Sequence, residues 1–157
     1  MELFSEQLEL LTLLVRHKVQ FLIVGGYAVI NYGYERLTSD LDLWIKKNNE
    51  NRDRLAEALK EYGILDDDLS KLKSIDFSGN VSVISFGKKP RRIEFLTELS
   101  LVKFDESYEE RSFIDIEGVK IPVIKYEHLI LSKMNTERLK DKADIEELQR
   151  IRKYKKS

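Results

Sequence analysis

The stretch from Phe21 to Ile45, FLIVGGYAVINYGYERLTSDLDLWI, limits the possible folds more than any other part of the chain. Phe21-Leu22-Ile23-Val24 is apolar at every position and stops at Gly25-Gly26. Such a short run predicts a strand buried on both faces. Gly25-Gly26 then predicts a strand-to-helix turn, with a short helix through Ala28 and Val29 that ends at Gly33. From Asp40 to Ile45, acidic or aromatic residues alternate with aliphatic ones, the period-two pattern of a second strand. On that strand Asp40, Asp42 and Trp44 share one face, and Leu41, Leu43 and Ile45 share the other. Two strand positions span roughly 6.5–7 Å, so two carboxylates can aim at one point, as a divalent metal site requires.

The rest of the chain reads as support for that point. Its 157 residues suit one unit with a sizeable core, and no linker or repeat divides it. The expectation is a single domain over 1–157, with C-terminal helices at about 125–152 belonging to the same unit. A net charge of −1 advertises no nucleic-acid or membrane partner. The lack of cysteine removes disulfides, thiol catalysis and thiolate zinc sites. With only His17 and His128, histidine-rich metal sites are excluded as well. No apolar run approaches the ~20 residues of a membrane-spanning helix. Met1 to Gln7 holds two glutamates and no basic residue, which is not a secretory pattern. A cytoplasmic protein is therefore expected.

Leu3, Phe4, Leu8, Leu11, Leu14 and Val15 recur at helical spacing, with His17 and Lys18 near the end. A helix is expected over Arg52–Tyr62, capped by Asn51 and ended by Gly63. Asp66-Asp67-Asp68 point three ways on any regular element and read as a solvated loop or helix cap, not a chelate. Val81–Phe86 and Arg91–Leu96 are predicted strands separated by a turn at Gly87-Lys88-Lys89-Pro90. On the latter strand Arg92, Glu94 and Leu96 share a face. Phe113–Ile116 and Val119–Ile124 bracket Glu117-Gly118, a two-residue hairpin signal. Helices follow at Tyr126–Met134 and Asp141–Ile151. The fold class is α/β (α+β), a small mixed sheet flanked by helices.

The chemistry follows from the residue types. Phosphoryl and nucleotidyl transfer need positioning, and hard cations that neutralise charge developing on phosphate oxygens. Asp40 and Asp42 offer the oxygen ligands that magnesium prefers, and Glu94, at the centre of a later predicted strand, offers a third carboxylate. A Gly-Gly turn lets backbone N–H groups approach phosphates closely. Taken singly, each feature has a plainer reading: a solvated strand face, a tight turn, a surface glutamate. Their order, strand, Gly-Gly, helix, Asp-x-Asp strand, acidic strand, is much harder to obtain by chance.

That order resembles the polymerase-β-type nucleotidyltransferase superfamily, and more closely its small AbiEii-like and DUF6036-like members. The resemblance rests on Gly25-Gly26-Tyr27-Ala28-Val29, Tyr32-Gly33 and Arg36-Leu37-Thr38-Ser39-Asp40-Leu41-Asp42. It continues through GKKPRRIEFLT at Gly87–Thr97, Lys133, and Arg138-Leu139-Lys140-Asp141-Lys142-Ala143-Asp144-Ile145. Two departures stand out. Gly25-Gly26 replaces the superfamily's usual Gly-Ser, and Glu94 stands where aspartate is usual.

The resemblance implies a nucleotidyltransferase fold and transfer of a nucleoside monophosphate from an NTP to a hydroxyl acceptor on RNA, a protein or a small molecule. It implies Mg²⁺ or Mn²⁺ on Asp40, Asp42 and Glu94, with Glu94 also acting as base. Gly25 and Gly26 would cradle the phosphates. Arg36 and Thr38 would lie near the phosphates or brace their loop. Lys133 and Lys140 would contact phosphates or stand as solvated helix lysines. The Lys140–Asp144 spacing reads as a surface ion pair. Trp44 stacks a base or, more simply, packs in the core. Arg150, Arg152, Lys153, Lys155 and Lys156 read as a frayed, solubilising end, with contact to RNA phosphates as the sharper alternative. The acceptor is left open, tRNA or a partner protein among the options. A toxin–antitoxin role with a separate antitoxin chain fits the same family. The competing reading is a catalytically reduced binding module of this fold or an antitoxin partner, which Glu94 keeps open. An Asp-x-Asp glycosyltransferase is disfavoured by chain length and by the Gly-Gly turn so close upstream.

Overall fold

A computed structural model of the chain describes residues 2–87 and 92–155. The predicted turn residues Lys88, Lys89 and Pro90, the strand start Arg91 and the tail residue Lys156 lie outside the described residues. Strand β1 (Phe21–Val24) is buried at all four positions, as its uniform apolarity requires. It pairs antiparallel with β2 (Leu41–Ile45), Val24 opposite Asp42. On the far side of β2, β4 (Ile93–Leu96) runs parallel, with Asp42 opposite Glu94. β3 (Val83–Phe86) closes that edge antiparallel to β4. On the other side of β1, β6 (Val119–Val123) runs parallel and carries β5 (Ser112–Ile116) as its hairpin partner. The sheet order is β3-β4-β2-β1-β6-β5, a mixed sheet. Glu117 and Gly118 both take positive φ at the hairpin tip, the backbone that a two-residue turn demands.

Helices flank the sheet. α3 (Asn49–Tyr62) packs against both α1 (Ser5–Arg16) and α4 (Asp66–Ser74), and α6 (Tyr126–Met134) pairs with α7 (Leu139–Lys155). α5 (Phe104–Glu109) sets Phe104 edge-on against Trp44, ring centroids 5.2 Å apart. Trp44 is thus a core residue, 1% exposed, as its packing reading expects. Asp66, Asp67 and Asp68 occupy the first turn of α4, where carboxylates suit the helix dipole.

Several boundaries differ from expectation. The short helix α2 (Gly25–Asn31) begins on the glycines themselves: Gly25 makes the turn at φ +66 and Gly26 already lies in the first helical turn. Asn48, not Asn51, caps α3, its side chain accepting from the Asn51 N–H at 2.7 Å. Asn51 is buried, accepting from Gln20 N–H at 2.8 Å and donating to the carbonyls of Gln20 and Lys46 at 3.1 and 3.0 Å. The reason is tertiary. The segment entering β1 and the one leaving β2 expose backbone groups side by side, and one amide satisfies both. The C-terminal basic run is not frayed up to Lys155. It is the last turns of α7, where Arg152 lies 3.9 Å over the Tyr126 ring and pairs with Glu127 at 3.1 Å. His17 caps the end of α1, and His128 lies in the first turn of α6.

Candidate active site

The antiparallel β1–β2 pair brings Gly25, at the end of β1, beside Asp42, near the start of β2. A Cβ on Gly25 would overlap Asp42 Oδ2, and a Cβ on Gly26 would fall 2.6 Å from Thr38 Oγ1. The two glycines therefore do more than bare the backbone. They give room to the side chains of Asp42 and Thr38, which pack where side chains of their own would stand. Asp40 precedes β2 but keeps its register. Its Oδ1 accepts from the Arg92 N–H at 3.2 Å, and the Leu41 N–H donates to the Arg92 carbonyl at 2.9 Å. Asp40, Asp42, Arg92 and Glu94 thus lie on one face at the same end of β2 and β4.

These residues line an open polar cavity of about 510 Å³. Asp40, Asp42, Glu94, Gly25, Gly26, Arg36, Thr38, Lys133 and Lys140 all border it. The sequence pattern had singled out every one of them. Leu37, Ser39, Arg92, Arg138 and Asp141 border it too; the sequence motifs contain them but assign them no role at the site.

The electrostatics are unbalanced around Asp42. Burial and the adjacent Glu94 carboxylate, with a smaller contribution from Asp40, push its pKa up to about 7, against the opposing pull of Lys133. Glu94 Oε1 is held by the Arg92 guanidinium at 2.7 Å. Among the described residues, no three acidic or imidazole side chains converge on one point as a finished metal cage. Asp40 and Glu94 are instead engaged with the backbone and side chain of Arg92. The donor chemistry nonetheless fits a hard cation: Asp42 is a half-buried carboxylate whose charge is opposed by two other carboxylates, and a divalent ion would relieve that opposition.

The opposite wall is a buried ion network. Asp144 is 1% exposed and sits between two cations. Arg36 approaches it with Nε at 2.9 Å and donates from Nη2 at 3.1 Å, and Lys133 Nζ lies 2.9 Å from Oδ2. Lys133 also donates to Asp141 at 2.9 Å, while Thr136 Oγ1 donates to the other Asp141 oxygen at 3.1 Å. Burial works against the Asp141 carboxylate, but the hydrogen bond and charge of Lys133 outweigh it and hold its pKa below the usual range. The expected surface pair between Lys140 and Asp144 is therefore wrong. Asp144 faces inward and Lys140 stays exposed at the cavity mouth. Lys133 is likewise no solvated lysine. Arg36 ties the loop before Asp40 to α7.

Gln7 was missed altogether. It is 3% exposed, donates from Nε2 to the Ser39 carbonyl at 2.9 Å and accepts from Tyr27 Oη at 3.0 Å. It thereby fixes the residue before Asp40 to α1 and α2. A glutamine inside an amphipathic helix carries no local signal for this role. Arg92 did have one, since it shares the predicted strand face with Glu94.

The family described as "Nucleotidyltransferase of unknown function (DUF6036)" matches residues 1–154. No curated protein matches the sequence. Among solved structures, the lincosamide antibiotic adenylyltransferase LnuA, in its lincomycin-bound form, is similar at a TM-score of 0.59 and 15% identity, covering 95% of this chain and 98% of that one. A candidate nucleotidyltransferase from Thermotoga maritima is similar at a TM-score of 0.57 and 15% identity, covering 98% of this chain and 94% of that one. At that identity the likeness establishes the fold: a mixed sheet with flanking helices in the nucleotidyltransferase arrangement.

Proposed function

The chain belongs to the DUF6036 family of nucleotidyltransferases, and from that premise we propose that it transfers a nucleoside monophosphate from an NTP to a hydroxyl acceptor, releasing pyrophosphate. The observation that carries this reading is the pairing of Asp42 with Glu94 across β2 and β4, beside Asp40, in one polar cavity. Asp40, Asp42 and Glu94 would hold Mg²⁺ or Mn²⁺. Bound there, the cation would neutralise charge on the NTP phosphates. Glu94 accepts the proton of the attacking hydroxyl. The new bond forms between that oxygen and the α-phosphorus, and the bond to the pyrophosphate oxygen breaks. Lys140 and Arg138, exposed at the cavity mouth, would meet the phosphates. Lys133 and Arg36, committed to Asp141 and Asp144, hold the wall in place. No glycine–lysine phosphate loop of the Walker type occurs in the sequence, which favours attack at the α- over the γ-phosphorus.

The acceptor belongs to an RNA end such as tRNA, a partner protein or a small molecule. Lincomycin in the LnuA structure is an example of a small molecule held by this fold. Within a toxin–antitoxin pair, the antitoxin would be a separate chain.

The test incubates the protein with each α-³²P-NTP, Mg²⁺ or Mn²⁺, and tRNA, cell lysate or no acceptor. Label transferred to an acceptor, and lost with Asp40→Ala, is the expected result. Absence of transfer under every condition, with metal titrating equally into wild type and Asp42→Asn by calorimetry, would refute the reading. It would leave a binding module in its place.

A further inference from the structure

A second cavity, of about 400 Å³, lies at the opposite end of β1. Phe21 borders it at the start of the strand, and Gly25 borders the acidic cavity just past the strand's end. Roughly 13 Å of strand rise separates them, and the two cavities share no lining residue. The two have opposite character. The walls here carry Lys18, Arg54, Arg111 and Lys120 beside Tyr108 and Phe113, with no carboxylate.

Among the described residues, only one of the four cations has an acidic partner: Arg54 pairs with Glu50 at 2.5 Å. Among the described residues, Lys18, Arg111 and Lys120 enter no ion pair. Asp115 faces Lys120 across the β5–β6 hairpin, but its Oδ1 accepts from the Gly118 N–H at 3.0 Å and it does not border the cavity.

Arg111 is built into the wall. Its guanidinium carbon lies 3.9 Å over the Tyr108 ring and 5.0 Å from that of Phe113, and Nη1 donates to the Tyr108 carbonyl at 2.6 Å. The rings and that carbonyl fix the fork at the cavity wall, where its fixed charge is available to an oxyanion. Lys18 adds an independent observation. It holds φ +59 directly after the α1 C-cap His17, a left-handed position where glycine is favoured. A lysine there tolerates backbone strain while placing a cation at the cavity rim.

We propose that this cavity binds the phosphate of a nucleoside phosphate, with its base laid on the half-exposed ring of Phe113 (52% exposed). Several cations around one space suit a phosphate, and a free aromatic face beside them suits a base of any identity. The ligand is either a free nucleotide or a unit of a single strand, and the same chemistry receives both.

The test uses two probes in EDTA, where the metal-free carboxylates of the other cavity repel phosphate. AMP is titrated by calorimetry, and a 5′-fluorescein single-stranded RNA dodecamer by anisotropy across a salt series. In Lys18→Gln/Lys120→Gln, two surface changes that leave the core intact, affinity for at least one probe should fall tenfold or more. For RNA, the slope of log K against log salt should also shrink by about 1.4, which is two single-strand phosphate contacts. Loss for AMP identifies a free-nucleotide site, and loss for RNA alone identifies a strand-binding site. Lys18→Gly should raise Tm by relieving the left-handed backbone and still weaken binding. Affinities within twofold of wild type for both probes in the double variant and in Arg111→Gln would overturn the proposal.

Discussion

Asp144→Asn is the sharpest test of the ion network behind the candidate site. The substitution keeps the side-chain volume and one acceptor oxygen but removes the charge facing Arg36 and Lys133. On the surface-pair reading the loss would be about 0.3–0.5 kcal/mol. The structure gives a different magnitude. Asp144 is 1% exposed, and the Arg36 and Lys133 side chains are 12% and 10% exposed, with all three closest approaches at 2.9–3.1 Å. Removing one partner of such a cluster strands buried charge, at a cost of about 3–5 kcal/mol. For a chain of this length each kcal/mol moves Tm by roughly 2–4 °C. The melting temperature should therefore drop by roughly 6–20 °C, read by circular dichroism and confirmed by urea unfolding with an unchanged slope. Adding Arg36→Met to Asp144→Asn should cost less than the sum of the two singles, since the second change removes one of the stranded cations. A loss under about 1 kcal/mol for Asp144→Asn would refute the buried-network argument.

Two further outcomes follow from the acidic side of the cavity. The folded-state pKa of Asp42, at about 7, lies above its ordinary value of 3.8, so the native state holds a proton that the unfolded chain has released. Stability of the metal-free protein should consequently fall as pH rises from about 4 to 7 and level off above. Asp42→Asn should flatten that stretch of the profile, and Mg²⁺, competing with the proton, should raise Tm more at pH 8 than at pH 5.5. If the profile of Asp42→Asn matches wild type, Asp42 is not the group responsible. Gly25→Ala should destabilise the fold by about 1–3 kcal/mol through strained backbone and displacement of Asp42. It should also weaken NTP binding more than its loss of stability explains. Equal stability and NTP affinity in the variant would count against the close packing of Gly25 on Asp42.

Local pattern determined a great deal by itself. Uniform apolarity marked β1, period-two alternation marked β2 and β4, and Glu117-Gly118 marked the hairpin tip, because each is a short-range consequence of backbone geometry. The same alternation put Asp40 and Asp42 on one face of β2, and Glu94 with Arg92 on one face of β4. Together with the family motif, it led to nine of the residues that border one cavity. Tertiary structure decided where each charge points. Asp144, Lys133 and Asn51 all read as surface or capping residues, because helical spacing says only which neighbours share a face. It does not say whether that face meets water or another wall of the protein. Arg36 comes from a loop 108 residues away from Asp144, and only chain folding brings the two within hydrogen-bond distance. The same holds for Gln7, whose partners Ser39 and Tyr27 are distant in sequence, and for the basic cavity, whose cations come from four separated segments. A local window carries periodicity, but burial and charge pairing are sums over the whole fold, and so those assignments had to wait for it.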